Sequence, residues 1–534
     1  MFFLPASRLT GQKMSLPLLD RARERDTHFT MTPRSGAAHR HASRCGTSLS
    51  VSVPPMPSRD LLPGEQYRFH FDMTRCIGCK CCVVACNEQN GNPAAINWRR
   101  VGEIEGGWYP NTQRFHLSMA CNHCLEPTCL KGCPVDAYSK DPLTGVVLHS
   151  AESCIGCQYC TWNCSYGVPQ YNPERGVVGK CDLCHHRLSD GREPACVSAC
   201  PETAIQIEIV NLAEWRREYA SSANAPGLPS ADDSISSTRI TLPENLPPDT
   251  RKADFFRVKP EHPHWPLVIM TVLTQLSVGA FATLWLLQLL GKTARLSIAA
   301  LVSFLVAGLA LNASTLHLGR PIHAYRALKM WKRSWLSREV LLFCCFSGVA
   351  SLYAALLWFR LPGSVTLGAL TSLFGAAGVT ASACIYVVPA RPAWNSKHTL
   401  AEFFLTGMVL GPLLAASAGV GEHRLLVTVA ATAAGSQLLN QAVKFFWLTA
   451  SEAFELQASA RLLATQLARP FLGGSALLVL AAMILPFLSS AWYATWALLA
   501  VALAAEILGR YVFFVSVVPK NMAASYVAAG EAAT

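Results

Sequence analysis

Charge is scarce in this chain, and the shortage is uneven. Asp, Glu, Lys and Arg make up 15% of its 534 residues, against 51% apolar residues. From Trp265 onward, stretches of about 18–25 residues carry almost no charge, which is the length a bilayer core demands of a helix. Such stretches exclude an ordinary water-facing surface for the second half. No secretory leader is expected at the amino terminus, with a transit peptide as the alternative: the apolar scrap Met1–Pro5 is too short for a secretory core, and no twin-arginine pair opens a hydrophobic stretch. Residues 1–65 are expected to be a disordered extension, with Met31 and Met56 as alternative starts.

Cysteine, by contrast, is abundant and ordered in its placement. Of 21 Cys, 18 precede residue 201; the others, Cys344, Cys345 and Cys384, fall in apolar segments. Four runs stand out: Cys76-x2-Cys79-x2-Cys82-x3-Cys86, Cys121-x2-Cys124-x4-Cys129-x3-Cys133-Pro134, Cys154-x2-Cys157-x2-Cys160-x3-Cys164 and Cys181-x2-Cys184-x11-Cys196-x3-Cys200-Pro201. Three thiolates from a tight run and a fourth from a distant run is how bacterial-type ferredoxins hold [4Fe–4S] clusters, so sixteen ligands imply four clusters. A disulfide scaffold would be small and loop-rich. Structural zinc uses two Cys-x2-Cys pairs and lacks dense four-Cys runs. Cys81 is superfluous, because Cys82 keeps both spacings. Gly78 and Gly156, between paired ligands, should let backbone N–H groups approach sulfur.

The formal charge of +11 shrinks once clusters are counted. Each oxidised cube with four thiolates carries about −2, leaving the chain near +3. No nucleic-acid partner is implied.

The pattern divides the chain into an α+β ferredoxin-like domain over 66–210, a Ser/Pro-rich linker over 211–264, an all-α polytopic domain over 265–520 and a tail over 521–534. Strand-like pieces are expected at Gly145–His149 and Ala204–Val210. Eight spans are expected at 266–290, 296–318, 338–359, 365–388, 402–420, 425–448, 470–489 and 493–517. One set of loops carries Arg251, Lys252, Arg257, Lys259, Arg320, Arg326, Lys329, Lys332, Arg333, Arg338, Arg391, Lys397, Arg461, Arg469 and Lys520. The other holds Lys292, Arg295, Arg360 and Arg424. That asymmetry places the cysteine-rich domain on the cytoplasmic side of an inner membrane.

The cluster region resembles the four-cluster subunit of the dimethyl sulfoxide reductase class of molybdoenzymes. The resemblance is carried by Cys76-Ile77-Gly78-Cys79, Cys121-Asn122-His123-Cys124, Cys154-Ile155-Gly156-Cys157 with Pro169-Gln170-Tyr171-Asn172, and Lys180-Cys181-Asp182-Leu183-Cys184. The membrane half is similar to the anchor subunit of that class at His317-Leu318-Gly319-Arg320-Pro321, Ser334-Trp335-Leu336-Ser337-Arg338-Glu339 and Gly509-Arg510-Tyr511-Val512-Phe513. Two normally separate subunits would here form one chain. The resemblance implies crossed ligation: Cys76, Cys79 and Cys82 with Cys200; Cys86 with Cys181, Cys184 and Cys196; Cys121, Cys124 and Cys129 with Cys164; Cys133 with Cys154, Cys157 and Cys160.

It also implies quinol binding near His317 and Glu339, with Arg320 and His323 beside them. Oxidising a quinol releases two protons with two electrons, so an imidazole and a carboxylate at one bilayer surface suit that chemistry. The plainer alternative is that Arg338 pairs with Glu339 and His317 caps its helix. Glu506 and Arg510 at i, i+4 read as an intramembrane ion pair, and Asn440, Gln441 and Lys444 as either a polar cavity or helix contacts. Only His317 falls inside an expected span while His323, His398 and His423 fall in loops, so haem is not expected. The sequence thus reads as an electron-transfer and anchor subunit linking menaquinol or ubiquinol to a separate molybdopterin-containing catalytic subunit. Two rivals stay open: a quinone reductase fed by a soluble donor, and a zinc-binding membrane scaffold.

Overall fold

The structure, a computed structural model, describes residues 55–222, 225–230, 233–253, 257–484 and 492–521. Residues 1–54 of the expected extension, 522–534 of the tail and 485–489 of the seventh expected span lie outside the described residues.

Along β1 (Glu65–Asp72) Phe69 and Phe71 are buried on one face and Gln66 and Arg68 on the other, because successive residues of a strand point to opposite faces and both are covered here. The cysteine-rich domain adds β2 (Arg100–Gly106), β3 (Gln113–Met119), β4 (Tyr138–Lys140), β5 (Val147–His149), β6 (Gln170–Asn172), β7 (Val177–Gly179) and β8 (Ile205–Asn211). β1 pairs antiparallel with β8 from Glu65↔Asn211 to Phe71↔Ile205, and β2 with β3 from Arg100↔Met119 to Gly106↔Gln113. The strand pieces expected at Gly145–His149 and Ala204–Val210 are β5 and β8. Short helices carry the ligand runs: α1 (Cys81–Asn90), α2 (Thr128–Gly132), α3 (Tyr159–Asn163), α4 (His185–Ser189) and α5 (Ala195–Ser198).

Two boundaries read from composition move. Order begins before residue 66: the Pro55 carbonyl accepts from the Ile207 N–H, and Arg59 forks onto Glu65 at 2.7 and 2.8 Å. The segment 211–264 is less a linker than a belt on the domain. It forms α6 (Leu212–Ser222), β9 (Arg239–Thr241), parallel to β1, and β10 (Arg251–Lys252), paired with β2. Ser237 Oγ and Thr238 Oγ1 donate to Asn122 at 2.7 and 2.9 Å. Strands of two or three residues are too short to register as periodicity.

The apolar half contains α7 (Trp265–Leu289), α8 (Leu296–Thr315), a 3-10 stretch (Pro321–Leu328), α9 (Trp335–Phe359), α10 (Ser364–Tyr386), α11 (Lys397–Ser417), α12 (His423–Ala450), α13 (Phe454–Ala464), α14 (Ala468–Ile484) and α15 (Trp492–Val515). Among the described residues, six helices are long and apolar enough to cross a bilayer, or seven if the pair α13 and α14, bent by 72°, forms one span. The eight expected spans are therefore not all met. α12 is long enough at 28 residues, but Gln437, Asn440, Gln441 and Lys444 dilute its apolar face. α7 and α11 cross closely because both carry glycine: a Cβ on Gly279 would strike the Gly407 carbonyl, the close approach small residues permit between membrane helices. Leu305, Leu309, Phe359 and Phe446 stay exposed as a lipid-facing surface.

One apolar core crosses the junction of the two halves. Ile155, Cys157, Tyr159 and Trp162 share it with Leu267, Phe343, Tyr386 and Trp394. The basic loop after α8 fastens the junction. Arg333 pairs with Asp136 at 2.6 Å, Arg320 Nη1 donates to the Ala151 carbonyl at 2.8 Å, and Ser334 Oγ donates to the Gly132 carbonyl at 2.7 Å. Lys520, after α15, pairs with Asp233 at 2.6 Å.

Candidate functional site

The sixteen cysteines gather into four groups. Cys76, Cys79, Cys82 and Cys200 line one cavity, and Cys121, Cys124, Cys129 and Cys164 another. Cys86 interacts with Cys181, Cys196 and Cys184, and Cys160 with Cys157, Cys133 and Cys154. Each group takes three thiols from one run and one from another, which locks distant parts of the chain together. Cys81 is exposed and lines neither cavity.

The donor set suits cubanes better than single ions. Four thiolates on one zinc sit about 3.8 Å apart, given Zn–S bonds of about 2.3 Å. No three His, Cys, Asp or Glu among the described residues are grouped to hold one ion. Backbone N–H groups aim at sulfur instead: Gly156 at Cys154 (3.4 Å), Leu183 at Cys181 (3.4 Å), Ala137 at Cys133 (3.3 Å) and Ala204 at Cys200 (3.2 Å). Gly78 and Gly156 have φ near +70°, and a side chain on Gly78 would run into the His116 ring, so glycine is required there. Burial raises the thiols of Cys76 and Cys181 to about 11 and of Cys124, Cys157 and Cys184 to about 12. Empty sites would hold protonated thiols, and loading them releases protons.

A third cavity, of about 220 Å³, lies at the junction. His317 and Glu339 both line it, among Leu267, Met270, Phe343 and Ile385, and Cys157 and Trp162 close it from the cluster side. An apolar wall broken by a few polar groups is that of a small-molecule site. His317 Nδ1 is buried there without a hydrogen-bond partner, and Glu339 is buried as well, 6% exposed. Arg338 turns away from Glu339: its guanidinium lies 4.4 Å from the Trp335 ring and donates to the Trp331 and Lys332 carbonyls. Arg320 and His323 do not line the cavity; Arg320 grips the cluster domain, and His323 packs on Tyr325. Sequence reading did not bring Trp162 or Tyr386 to this site. Their mutual contact, 5.7 Å between ring centroids, has no signal in spacing.

Glu506 and Arg510 do not pair directly. Both meet Thr406 Oγ1, at 2.7 and 3.3 Å, and Arg510 also donates to Gln275 Oε1 at 2.8 Å. Successive helical turns aim the two side chains at α11 and α7 rather than at each other. Lys444 reaches Glu402 at 3.3 Å, and with Gln441 they line a further cavity.

Comparison with known proteins agrees with both halves. Residues 112–209 match the 4Fe-4S dicluster domain, and residues 259–515 match the DMSO reductase anchor subunit (DmsC). A component of the anaerobic dimethyl sulfoxide reductase of Haemophilus influenzae is 39% identical over 177 residues, which are 32% of this chain and 85% of that protein. Its counterpart in Escherichia coli is 38% identical over 174 residues, 31% of this chain and 83% of the relative. A sulfite dehydrogenase component of Allochromatium vinosum is 38% identical over 154 residues, 25% of this chain and 64% of the relative. With its thiol groups and its apolar helices joined in one polypeptide, the protein belongs to the dimethyl sulfoxide reductase family as an iron–sulfur electron-transfer subunit fused to a multi-pass membrane anchor.

Proposed function

We propose that this protein oxidises a membrane quinol, menaquinol or ubiquinol, in the junction cavity and delivers the electrons to a separate molybdopterin-containing catalytic subunit. The observation that carries the proposal is that His317, Glu339 and Cys157 line one cavity. Each thiol group would hold one [4Fe–4S] cluster, the four together supplying one-electron relay between the cavity and the far face.

Quinol becomes quinone by losing two electrons and two protons. His317 Nδ1 and the Glu339 carboxylate are placed to take those protons at the cavity wall. The apolar remainder of the lining excludes water and accepts the ring and tail. At the other end Ile77, about 60% exposed, lines the same cavity as the exposed Cys79, and Val84, equally exposed, follows on α1. That apolar rim at a cluster edge is the docking face for the catalytic subunit.

Eight spans, with α12 and the bent α13–α14 region included, fit the alternation of the helix ends. The turns after α7 and α11 meet through Lys292 and Glu422 at 2.6 Å, while the loops after α8 and α15 bind the cluster domain. The basic loops share its side, which supports a cytoplasmic position for that domain. The relatives' names include sulfite dehydrogenase and formate dehydrogenase subunits; electron flow from such a donor into quinone would use the same groups in reverse.

The test is anaerobic stopped-flow reduction of the protein by quinol. Glu339→Gln slows cluster bleaching by about 10²-fold or more, with iron content and dithionite reduction unchanged. Unaltered quinol kinetics would remove the site from this cavity.

A further inference from the structure

Arg99 is a buried cation without a carboxylate. It is 2% exposed, and among the described residues no Asp or Glu forms an ion pair with it. Nη1 donates to Ser118 Oγ at 3.1 Å and weakly to the Ser118 carbonyl at 3.4 Å, and Ser118 Oγ lies 3.4 Å from Cys82 Sγ. The guanidinium carbon rests 4.5 Å from the Phe69 ring centroid, which closes that face. Nε and Nη2 have no protein partner.

A lone buried guanidinium is costly unless a negative group compensates it. Cys82 and Cys86 are buried one turn apart on α1, and α1 packs against α5, which carries Cys196; burial works against the Arg99 charge, and Cys196, Cys82, Cys181 and Cys86 act to favour it. Those four cysteines belong to two different groups. Cys82 sits with Cys76, Cys79 and Cys200, whereas Cys86, Cys181 and Cys196 sit with Cys184. Arg99 therefore stands between two cluster sites, with Nε and Nη2 unused.

We propose that Arg99 is a positioning residue whose single charge and free N–H donors serve both clusters at once, stabilising their reduced forms and raising both potentials. A cubane gains one negative charge on reduction, and a fixed cation beside it favours that state. The proposal rests on the reading that these two thiol groups hold [4Fe–4S] clusters.

The test is a redox titration followed by electron paramagnetic resonance, with iron and acid-labile sulfide measured on the same samples. In Arg99→Gln, two midpoint potentials fall while the other two hold and iron stays at the wild-type level. Arg99→Lys, which keeps the charge, restores the pair toward wild type at full iron content. Full iron in Arg99→Gln with four unmoved potentials overturns the proposal, as does an equal shift of all four. Should Arg99→Gln lose iron, Arg99→Lys decides: full iron and near-wild-type potentials support a role for charge, and iron loss there too means a packing role only. Iron near zero in the wild type would instead sink the cluster reading.

Discussion

The backbones of Gly156 and Gly319 meet with no room for a side chain: a Cβ on Gly156 would lie 2.9 Å from the Gly319 Cα and N, and one on Gly319 would strike the Gly176 carbonyl. Gly156 separates two cluster ligands, and Gly319 lies two residues past His317. Close packing at this point sets the wall that Cys157 gives the cavity. Gly319→Val should push the two halves apart. Quinol-dependent cluster reduction is expected to fall by about 10²-fold, the scale on which a misplacement of about 1 Å acts. Iron content and dithionite reduction are the controls, and both should remain normal.

Cross-ligation makes one cysteine hold two distant runs. Cys164 ends the third run yet lines the cavity of Cys121, Cys124 and Cys129. Cys164→Ala should therefore cost one cluster of four, seen as about a quarter of the iron. Stripping all iron should open the cluster domain to protease, because metal binding there is folding energy. The membrane helices should resist.

Position and partner were legible to different degrees. Spacing alone located the thiols, since iron chemistry demands fixed ligands. Hydropathy located the long helices, because a bilayer imposes length and apolarity together. Composition misled at 211–264, where two short strands and buried hydroxyls replace a hydrophobic pattern, and at Glu506 with Arg510, where i, i+4 spacing ignores Thr406 and Gln275. The resemblance set Arg320 beside the quinol, but the need to dock the cluster domain claims its guanidinium. Contacts that pair residues hundreds apart, such as Trp162 with Tyr386, leave no trace in local sequence.

Glu208 offers a pH signature. It pairs across the sheet with Arg68 at 2.8 Å, meets His70 at 2.8 Å and Arg239 at 3.4 Å. Burial acts to raise its carboxyl, but the His70 hydrogen bond and the neighbouring charges hold it at about 2. A depressed carboxyl stabilises above its unfolded value of about 4.3 and loses that contribution as pH falls toward 2. Glu208→Gln is expected to cost about 1 kcal/mol at pH 7, discounted for partial solvent screening. The difference from wild type should shrink below about pH 4, as read by denaturant unfolding of the β1–β8 sheet.

Adjacency of the quinol cavity to the Cys133, Cys154, Cys157 and Cys160 group is the centre of this account. A redox-inactive quinone analogue, added to the dithionite-reduced protein, tests it by electron paramagnetic resonance. One cluster signal should change shape on binding, and it should be the signal that disappears in Cys154→Ala. A change in a signal that survives Cys154→Ala, or no change at saturating analogue, would contradict it.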